Sequence, residues 1–145
     1  MGIERYFSET VGDVYQDPNS VINYQSRTAV VKNDSGKIVE EIKEAIFPEF
    51  WGKLAADTVA TKYFRKAGVP ETGREIDIRQ LVGRVSRKIV EWGTEQGYFS
   101  PEEEKVFEQE IAAASLFQYG AFNSPVWFNL GLDEYKIVGE DKGYT

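Results

Sequence analysis

The stretch QYGAFNSPVWFNLGL, residues 118–132, holds four aromatic side chains and no charged residue, although charged residues make up 28% of the chain. The residues before it read as a helix, and Gly120 is a candidate stop signal for that helix. Pro125 removes a backbone donor and biases Ser124 toward an extended conformation. Ser124 is therefore predicted to be a fixed hydroxyl in apolar surroundings, which either the protein or a ligand must pair.

Two interpretations of this stretch stay open at the level of its chemistry. In the first, it is a core-lining loop that enters a short strand at residues 126–129, and its polar groups bond the backbone. In the second, Ser124 and its neighbour Asn123 contact a ligand. The residue chemistry alone favours the first interpretation, because most buried polar groups are paired within the protein.

The composition excludes several kinds of site. The 145 residues suit one domain, and a net charge of −7 disfavours nonspecific binding to nucleic acid or to an anionic membrane. The chain has no cysteine and no histidine, which excludes thiol chemistry, Cys/His metal sites and histidine catalysis within it. We expect no catalytic, cofactor-binding or metal-binding residue here. No signal peptide or membrane span is visible, so the cytoplasm is the expected location.

The remaining sequence divides into an extended N-terminal arm (residues 1–26), a helical domain with a β-hairpin (27–132) and a polar tail or interrupted connection (133–145). The arm contains a turn cluster at residues 17–20 and is expected to pack through its aromatic side chains. Two β-branched runs, residues 28–31 and 37–42, flank a turn at 33–36 in which Gly36 can supply a positive φ, and this predicts the hairpin.

Three helices are predicted, near residues 48–66, 77–96 and 101–119. The first opens at Pro48, and its apolar face consists of Phe50, Leu54, Ala55, Val59 and Tyr63. The second is capped by Asp77 with Gln80, and its apolar stripe consists of Ile78, Leu81, Val82, Val85, Ile89 and Trp92. Ser100 and Pro101 open the third helix.

Two groups of charged residues on these helices invite a functional interpretation. Arg79, Arg84, Arg87 and Lys88 lie off the apolar stripe of the second helix. They could grip phosphates, but a solvated helix face is the favoured interpretation. The pair Glu103/Glu104 does not indicate carboxylate catalysis, because neighbours in sequence do not face each other on a helix.

Three blocks carry a family resemblance: LAADTVATKYFRKAGVP (54–70), IRQLVGRVSRKIVEWGTEQGYF (78–99) and LFQYGAFNSPVWFNLGL (116–132). In this order they resemble the N-terminal region of adenosylcobalamin-dependent (class II) ribonucleotide reductases. The hairpin segment AVVKNDSGKIV (29–39) resembles the part that precedes them. The likeness extends over roughly residues 6–132.

The resemblance implies a mainly α (α+β) fold: a helical N-terminal domain with one β-hairpin that leads toward a ten-stranded α/β barrel, which is absent from this sequence. In the family, adenosylcobalamin generates a thiyl radical on a barrel cysteine, and ribonucleotides become deoxyribonucleotides for DNA synthesis. The barrel binds the cobalamin and would be this chain's partner, in cis or as a separate chain. The serine of the family's SPV step contacts the ribonucleotide substrate, and this implies a substrate-binding role for Ser124.

We therefore expect a fragment or subunit of a ribonucleoside-diphosphate or -triphosphate reductase, either truncated or naturally split. No activity is expected from the chain alone, because it has no cysteine to carry the radical. The alternatives are a non-catalytic binding or regulatory module that reuses this domain, and an unrelated helical interaction domain. The aromatic, uncharged stretch suggests a surface that a partner covers, and this favours the reductase fragment and the binding module over the unrelated domain.

Overall fold

The computed structural model describes residues 2–9, 13–15 and 22–136 of the chain, and these form a mixed α+β fold. Its elements are β1 (Tyr24–Lys32), β2 (Ile38–Pro48), α1 (Lys53–Thr58), a π-helical turn (Val59–Tyr63), α2 (Ile78–Glu95), α3 (Pro101–Leu116), α4 (Ser124–Asn129) and a 3₁₀ turn (Leu132–Tyr135). The predicted turn at residues 17–20 and the tail after residue 136 lie outside the described residues. None of the helices in the described part of the chain is long and apolar enough to cross a membrane.

The predicted β-hairpin is confirmed, and it is longer than expected. Strands β1 and β2 pair antiparallel, from Tyr24 opposite Pro48 at the open end to Lys32 opposite Ile38 at the turn. In the turn, the Asn33 side-chain oxygen accepts hydrogen bonds from backbone amides on the far side, and Gly36 adopts a φ of +85°. A glycine is needed here because other residues adopt such a φ only with strain.

Pro48 ends β2 and does not open a helix, which corrects the prediction. A proline is tolerated at a strand end, where no ladder hydrogen bond needs its missing amide. The chain then turns before α1 begins at Lys53. The guanidinium of Arg27 in β1 holds this turn, because it donates to the carbonyl oxygens of Trp51 (2.8 Å) and Pro48 (3.1 Å).

The predicted apolar face of the first helix is confirmed only in part, because Ala55, Val59 and Tyr63 pack against the core but its first two members do not. Leu54 is 83% exposed and Phe50 is 48% exposed, whereas Ala56, Ala60 and Phe64 are fully buried. Phe50 lies before the helix, which begins at Lys53. After α1 the π-helical turn follows, in which the Phe64 amide donates to the Val59 carbonyl, five residues back. This wider turn changes the rotation per residue, so α-helical spacing does not apply to Ala60 and Phe64.

Helices α2 and α3 confirm the predictions made from their capping residues. Asp77 caps α2 by accepting from the Arg79 amide (2.8 Å), and the Gln80 side chain accepts from the Asp77 amide (3.0 Å). Ser100 and Glu103 form the corresponding reciprocal pair at the start of α3. Each capping box satisfies two backbone donors that the first helical turn leaves unpaired.

The core lies where the hairpin, the π-helical turn, α2 and α3 meet. The Phe47 ring stacks on Phe64 with ring centres 5.5 Å apart, and the indole of Trp51 donates to the Leu116 carbonyl (2.7 Å). On α2 the predicted stripe is buried at its N-terminal end: Ile78, Leu81, Val82 and Val85. Its C-terminal end is not, because Ile89 is half-buried and Trp92 is 47% exposed.

The N-terminal residues dock on α3 through its polar side chains. The Glu110 carboxylate accepts hydrogen bonds from the amides of Tyr6, Phe7 and Ser8 and from the Ser8 hydroxyl, at 2.6–3.0 Å. Gln109 accepts from the Val14 amide in the same way (2.8 Å). The Tyr6 ring is 77% exposed, so backbone amides carry much of a contact that was expected to depend on aromatic rings.

This docking predicts a pH dependence. Partial burial works to raise the pKa of Glu110, but the hydrogen bonds from Ser8, Phe7 and Tyr6 outweigh it, and the net pKa lies below the usual 4.5. A lowered folded-state pKa contributes stability above pH 4.5 that is lost as the pH falls through the lowered value. We expect the amides of residues 6–8 to be protected from hydrogen exchange at pH 7 and to lose that protection below pH 4.5.

The Glu110→Gln variant tests the same contact at neutral pH, because an amide cannot replace both carboxylate oxygens as acceptors. Exchange at residues 6–8 should then be faster than in the wild type. The control is Glu102→Gln, which removes one exposed charge from the first turn of the same helix. Equal exchange in the two variants would contradict the assignment of Glu110.

Candidate functional site

The segment that was predicted as a strand at residues 126–129 is the short helix α4, Ser124–Asn129. The Leu130 amide donates to the Val126 carbonyl (3.0 Å), and Asn123 is the extended residue before the helix, with φ −71° and ψ 165°. Pro125 lies in the first turn, where the missing amide breaks no helical hydrogen bond. Ser124 is therefore the first residue of α4, which corrects the prediction of an extended conformation for it; the extended residue is Asn123, one position earlier.

The chain reaches α4 through a turn that Gln118 makes possible. Gln118 adopts a φ of +62°, its amide donates to the Ser115 carbonyl (3.1 Å), and the Tyr119 amide donates to the Ala114 carbonyl (2.9 Å). These two bonds form a Schellman motif, which usually has a glycine at the left-handed position. The helix thus ends before Gly120, which corrects the predicted stop, and a strained non-glycine residue faces the site.

The α4 segment is held against α2 by a buried ion pair. The side chains of Glu75 and Arg84 are both 0% exposed, and the Arg84 Nε donates to a Glu75 carboxylate oxygen at 2.9 Å. The Arg65 amide (2.7 Å) and the Tyr135 hydroxyl (2.6 Å) also donate to this carboxylate. Burial, followed by the charge of Glu75, raises the pKa of Tyr135, which stays protonated as a donor.

The remaining donors of Arg84 reach the backbone of the α4 segment. Its terminal nitrogens donate to the carbonyl oxygens of Leu130 (2.6 Å) and Trp127 (2.7 Å). The arginine therefore joins the loop before α2, the α2 helix and the end of α4 in one hydrogen-bonded unit. We call the Glu75–Arg84 pair with these carbonyls the buried clamp.

Arg84 corrects the interpretation of the basic row, because this side chain is fully buried. The other three bases are paired as well: Arg79 with Asp77, Arg87 with Glu134 and Lys88 with Asp133. The pKa of Arg87 is raised, first by its hydrogen bond to Glu134. A row of bases free to grip phosphates is therefore not present on α2. The sequence of the helix does not show this pairing, because these acceptors, other than the capping residue Asp77, lie in distant parts of the chain.

Ser124 is half-buried, and its hydroxyl oxygen lies 2.9 Å from the phenolic oxygen of Tyr63. Tyr63 is the last residue of the π-helical turn, and its ring stacks on Phe128 with ring centres 5.3 Å apart. The sequence reasoning placed Tyr63 in an apolar helix face and missed this pair. The signal that could have found it was the hydroxyl itself, since a tyrosine in an apolar face needs a polar partner.

A cavity of about 470 Å³ lies beside this pair, between the π-helical turn, α2 and the turn after α3. Four aromatic residues and the strained Gln118 line it, together with aliphatic side chains of α2; the aromatic ones are Trp51, Tyr63, Phe122 and Trp127. The volume is within the range of small-molecule sites, and a mostly apolar lining with a few polar groups is typical of them. The cavity is therefore a candidate ligand site next to the Tyr63–Ser124 pair.

The acidic residues in the described part of the chain are not grouped as a metal site would require. Within residues 2–9, 13–15 and 22–136, no group of three carboxylates is placed to hold a metal ion. Glu103 is used in capping α3 and in accepting from the Ile3 amide (3.0 Å), and these hydrogen bonds lower its pKa. Glu103 thus has a structural role at the start of α3.

Comparison with known sequences identifies the family. The family described as class II vitamin B12-dependent ribonucleotide reductase matches residues 25–118, which is more than half of the chain. The chain belongs to this family. The match runs from the hairpin through α3, so it contains the first two blocks of the resemblance and the first residues of the third. The family predicted from the sequence is confirmed, and the alternative of an unrelated helical domain is excluded.

Individual relatives agree with the family assignment. A vitamin B12-dependent ribonucleotide reductase of Rhodopirellula baltica is 37% identical over 94% of this chain, and one of Streptomyces coelicolor is 39% identical over 83%. One of Agrobacterium fabrum is 30% identical over 99% of the chain. The chain spans only 13–14% of the length of these relatives. The chain therefore corresponds to a short part of these relatives.

The names of the relatives specify vitamin B12, and the described residues of this chain do not fit that cofactor. A corrinoid with its side chains is much larger than a drug-sized ligand, whereas the cavity of about 470 Å³ suits a small one. The chain also has no histidine that could serve as a metal ligand. No step that involves the cofactor is therefore assigned to these residues.

Gly131 gives a test of the buried clamp. It has a φ of +78°, and a Cβ built there would lie 2.3 Å from the Arg84 carbonyl oxygen. Gly131→Ala should therefore combine left-handed strain, about 1–2 kcal/mol, with an overlap that costs about 1–3 kcal/mol more. The measurement is the free energy of unfolding in denaturant.

Gly36→Ala is the matched control for this prediction. Gly36 has a similar φ of +85°, but nothing lies within 4 Å of its added Cβ. The control should show the strain without the overlap. If both variants lose the same stability, the close approach of Gly131 to Arg84 does not exist in solution.

Proposed function

We propose that this chain is the N-terminal domain of an adenosylcobalamin-dependent ribonucleotide reductase, that it packs on the catalytic barrel, and that it lines the ribonucleotide site with Ser124. The observation that carries the proposal is the position of Ser124. It is the serine of an SPV step in a chain that belongs to the class II reductase family. It is also half-buried and is the first residue of α4, next to the cavity.

The proposed contribution of the chain is binding and orientation. A serine hydroxyl can donate one hydrogen bond and accept two, which suits a ribose hydroxyl or a phosphate oxygen. The buried clamp fixes α4 through the carbonyls of Trp127 and Leu130, so the hydroxyl is held on a rigid element. A binding group held in this way loses less entropy when the substrate arrives.

The radical and redox chemistry is assigned to the rest of the reductase. Adenosylcobalamin, when bound there, supplies the radical that the family's chemistry requires. The present chain has no cysteine, so it offers neither a thiyl radical nor a dithiol. In this proposal the barrel is the partner in cis or as a second chain, the substrate is a ribonucleotide, and neither nucleic acid nor membrane is bound.

An exposed aromatic surface supports packing on a further part of the reductase. Tyr119 is 70% exposed, Phe50 is 48% exposed and Phe122 is 37% exposed, and all three lie near the turn between α3 and α4. Phe50 stacks on Phe117, which packs on Tyr119, so these rings are adjacent on the surface. Clustered exposed rings are a feature of interaction surfaces.

The test is Ser124→Ala in a complete reductase that contains this chain. Loss of one hydrogen bond to substrate should lower kcat/KM by about five- to a hundredfold, equivalent to about 1–3 kcal/mol. The melting temperature should change little, since the hydroxyl is only half-buried. Steady-state kinetics and thermal melts on the same preparation measure both effects. The isolated 145-residue chain should form no deoxynucleotide under the same conditions.

The control is Ser115→Ala, which removes the hydroxyl of a residue that lines the cavity; that hydroxyl bonds the Ile111 carbonyl in its own helix. An unchanged kcat/KM with a clearly lowered melting temperature for Ser124→Ala would assign this serine to packing. That result would favour the second candidate, a non-catalytic binding or regulatory module. Deoxynucleotide formation by the chain alone would contradict the assignment of the radical chemistry to the barrel.

A further inference from the structure

The hydroxyl of Ser124 has one protein partner in the described structure that the proposed function does not use. This partner is the phenol of Tyr63, 2.9 Å away. Tyr63 lies 61 residues earlier in the chain and on a different element, so the contact is long-range. Such a pair forms only when the fold brings the two elements together, whereas a serine that caps its own helix bonds residues close to it in sequence.

The direction of this hydrogen bond follows from the chemistry of the two hydroxyls. A phenol is more acidic than an aliphatic alcohol, so it is the stronger donor of the two. The favoured arrangement has Tyr63 donating to the Ser124 oxygen. The single proton of Ser124 is then left to donate to an acceptor outside the pair. Without the tyrosine, the serine hydroxyl would rotate freely and could donate its hydrogen bond to another protein group.

Three observations indicate that Tyr63 is held for this purpose. Its ring stacks on Phe128 of α4, which fixes the distance between the two elements. It is the last residue of a π-helical turn, and such turns occur often at functional sites. It also lines the cavity of about 470 Å³, so the residue that bonds Ser124 is itself part of the cavity wall.

On these grounds we infer that Tyr63 is a positioning residue for the substrate site: its phenol orients the Ser124 hydroxyl so that the serine proton points to an oxygen of the bound ribonucleotide. The inference rests on the proposed function, because it assumes that Ser124 contacts substrate. It adds a second residue, from a separate element, whose effect on the reaction passes through Ser124.

The experiment is a double-mutant cycle in a complete reductase that contains this chain, with Tyr63→Phe, Ser124→Ala and the double variant. Phenylalanine keeps the ring and its stacking on Phe128, so the fold should be retained and the melting temperature should change little. The expected result for Tyr63→Phe is a KM raised by about two- to tenfold, with kcat nearly unchanged, as loss of one oriented hydrogen bond predicts.

The double variant carries the central comparison. If Tyr63 acts through Ser124, then Tyr63→Phe should have no further effect on KM once the serine hydroxyl has been removed. A further test uses Ser124→Thr, which keeps a hydroxyl at this position. Its KM should rise when Tyr63→Phe is added, unlike that of Ser124→Ala. Tyr98→Phe is the matched control, because it removes the phenol of an exposed tyrosine whose ring packs on Phe99, away from the site.

The outcomes separate this inference from the proposed function. If Ser124→Ala impairs the reaction and Tyr63→Phe does not, the proposed function stands and the positioning role is overturned. The positioning role is also overturned if the two substitutions raise KM by independent, multiplying factors. If Ser124→Ala leaves KM and kcat/KM unchanged, the substrate role of Ser124 and the inference are both overturned.

Discussion

The buried ion pair between Glu75 and Arg84 is the interaction on which the arrangement of the site depends. Both side chains are fully buried, and a charge in such a place is tolerated only with complete pairing. Complete pairing requires the Arg65 amide, the Tyr135 hydroxyl and two carbonyl oxygens of the α4 segment. Four separate parts of the chain must therefore be in place together, and this constraint limits how α4 can lie on α2.

The site follows from this constraint. Because Arg84 holds the carbonyls of Trp127 and Leu130, the first turn of α4 is fixed next to the π-helical turn, and Ser124 meets Tyr63 there. Gly131 allows the chain to pass within contact of the Arg84 backbone before the 3₁₀ turn brings Tyr135 back to Glu75. A buried pair of this kind is a device for specifying one arrangement, and here that arrangement places a hydroxyl pair beside an apolar cavity.

The parts of the fold that sequence could predict are those set by local chemistry. Asp77 with Gln80 and Ser100 with Glu103 marked the starts of α2 and α3 because capping is decided within four residues. The parts that it could not predict depend on distant partners. Arg84 was taken for a solvated base because its acceptors lie in other elements, and α4 was taken for a strand because a short apolar run has no period of its own. The π-helical turn changes the spacing of the buried residues after Val59, and no residue in it signals that extra width. Ser124 was singled out from the sequence, whereas its partner Tyr63 needed the structure.

The most direct test of this account replaces the whole ion pair, with Glu75→Leu and Arg84→Met in one variant. Removing both charges leaves no unpaired charge, but the Arg65 amide, the Tyr135 hydroxyl and the carbonyls of Trp127 and Leu130 lose their partners, so the global free energy of unfolding should fall. The loss should be greatest in the α4 segment: hydrogen exchange at the Leu130 amide should accelerate about tenfold more than exchange at the α3 amides, a difference of about 1.4 kcal/mol in protection. Unchanged exchange at Leu130 in this variant would contradict the claim that the buried pair holds the segment carrying Ser124.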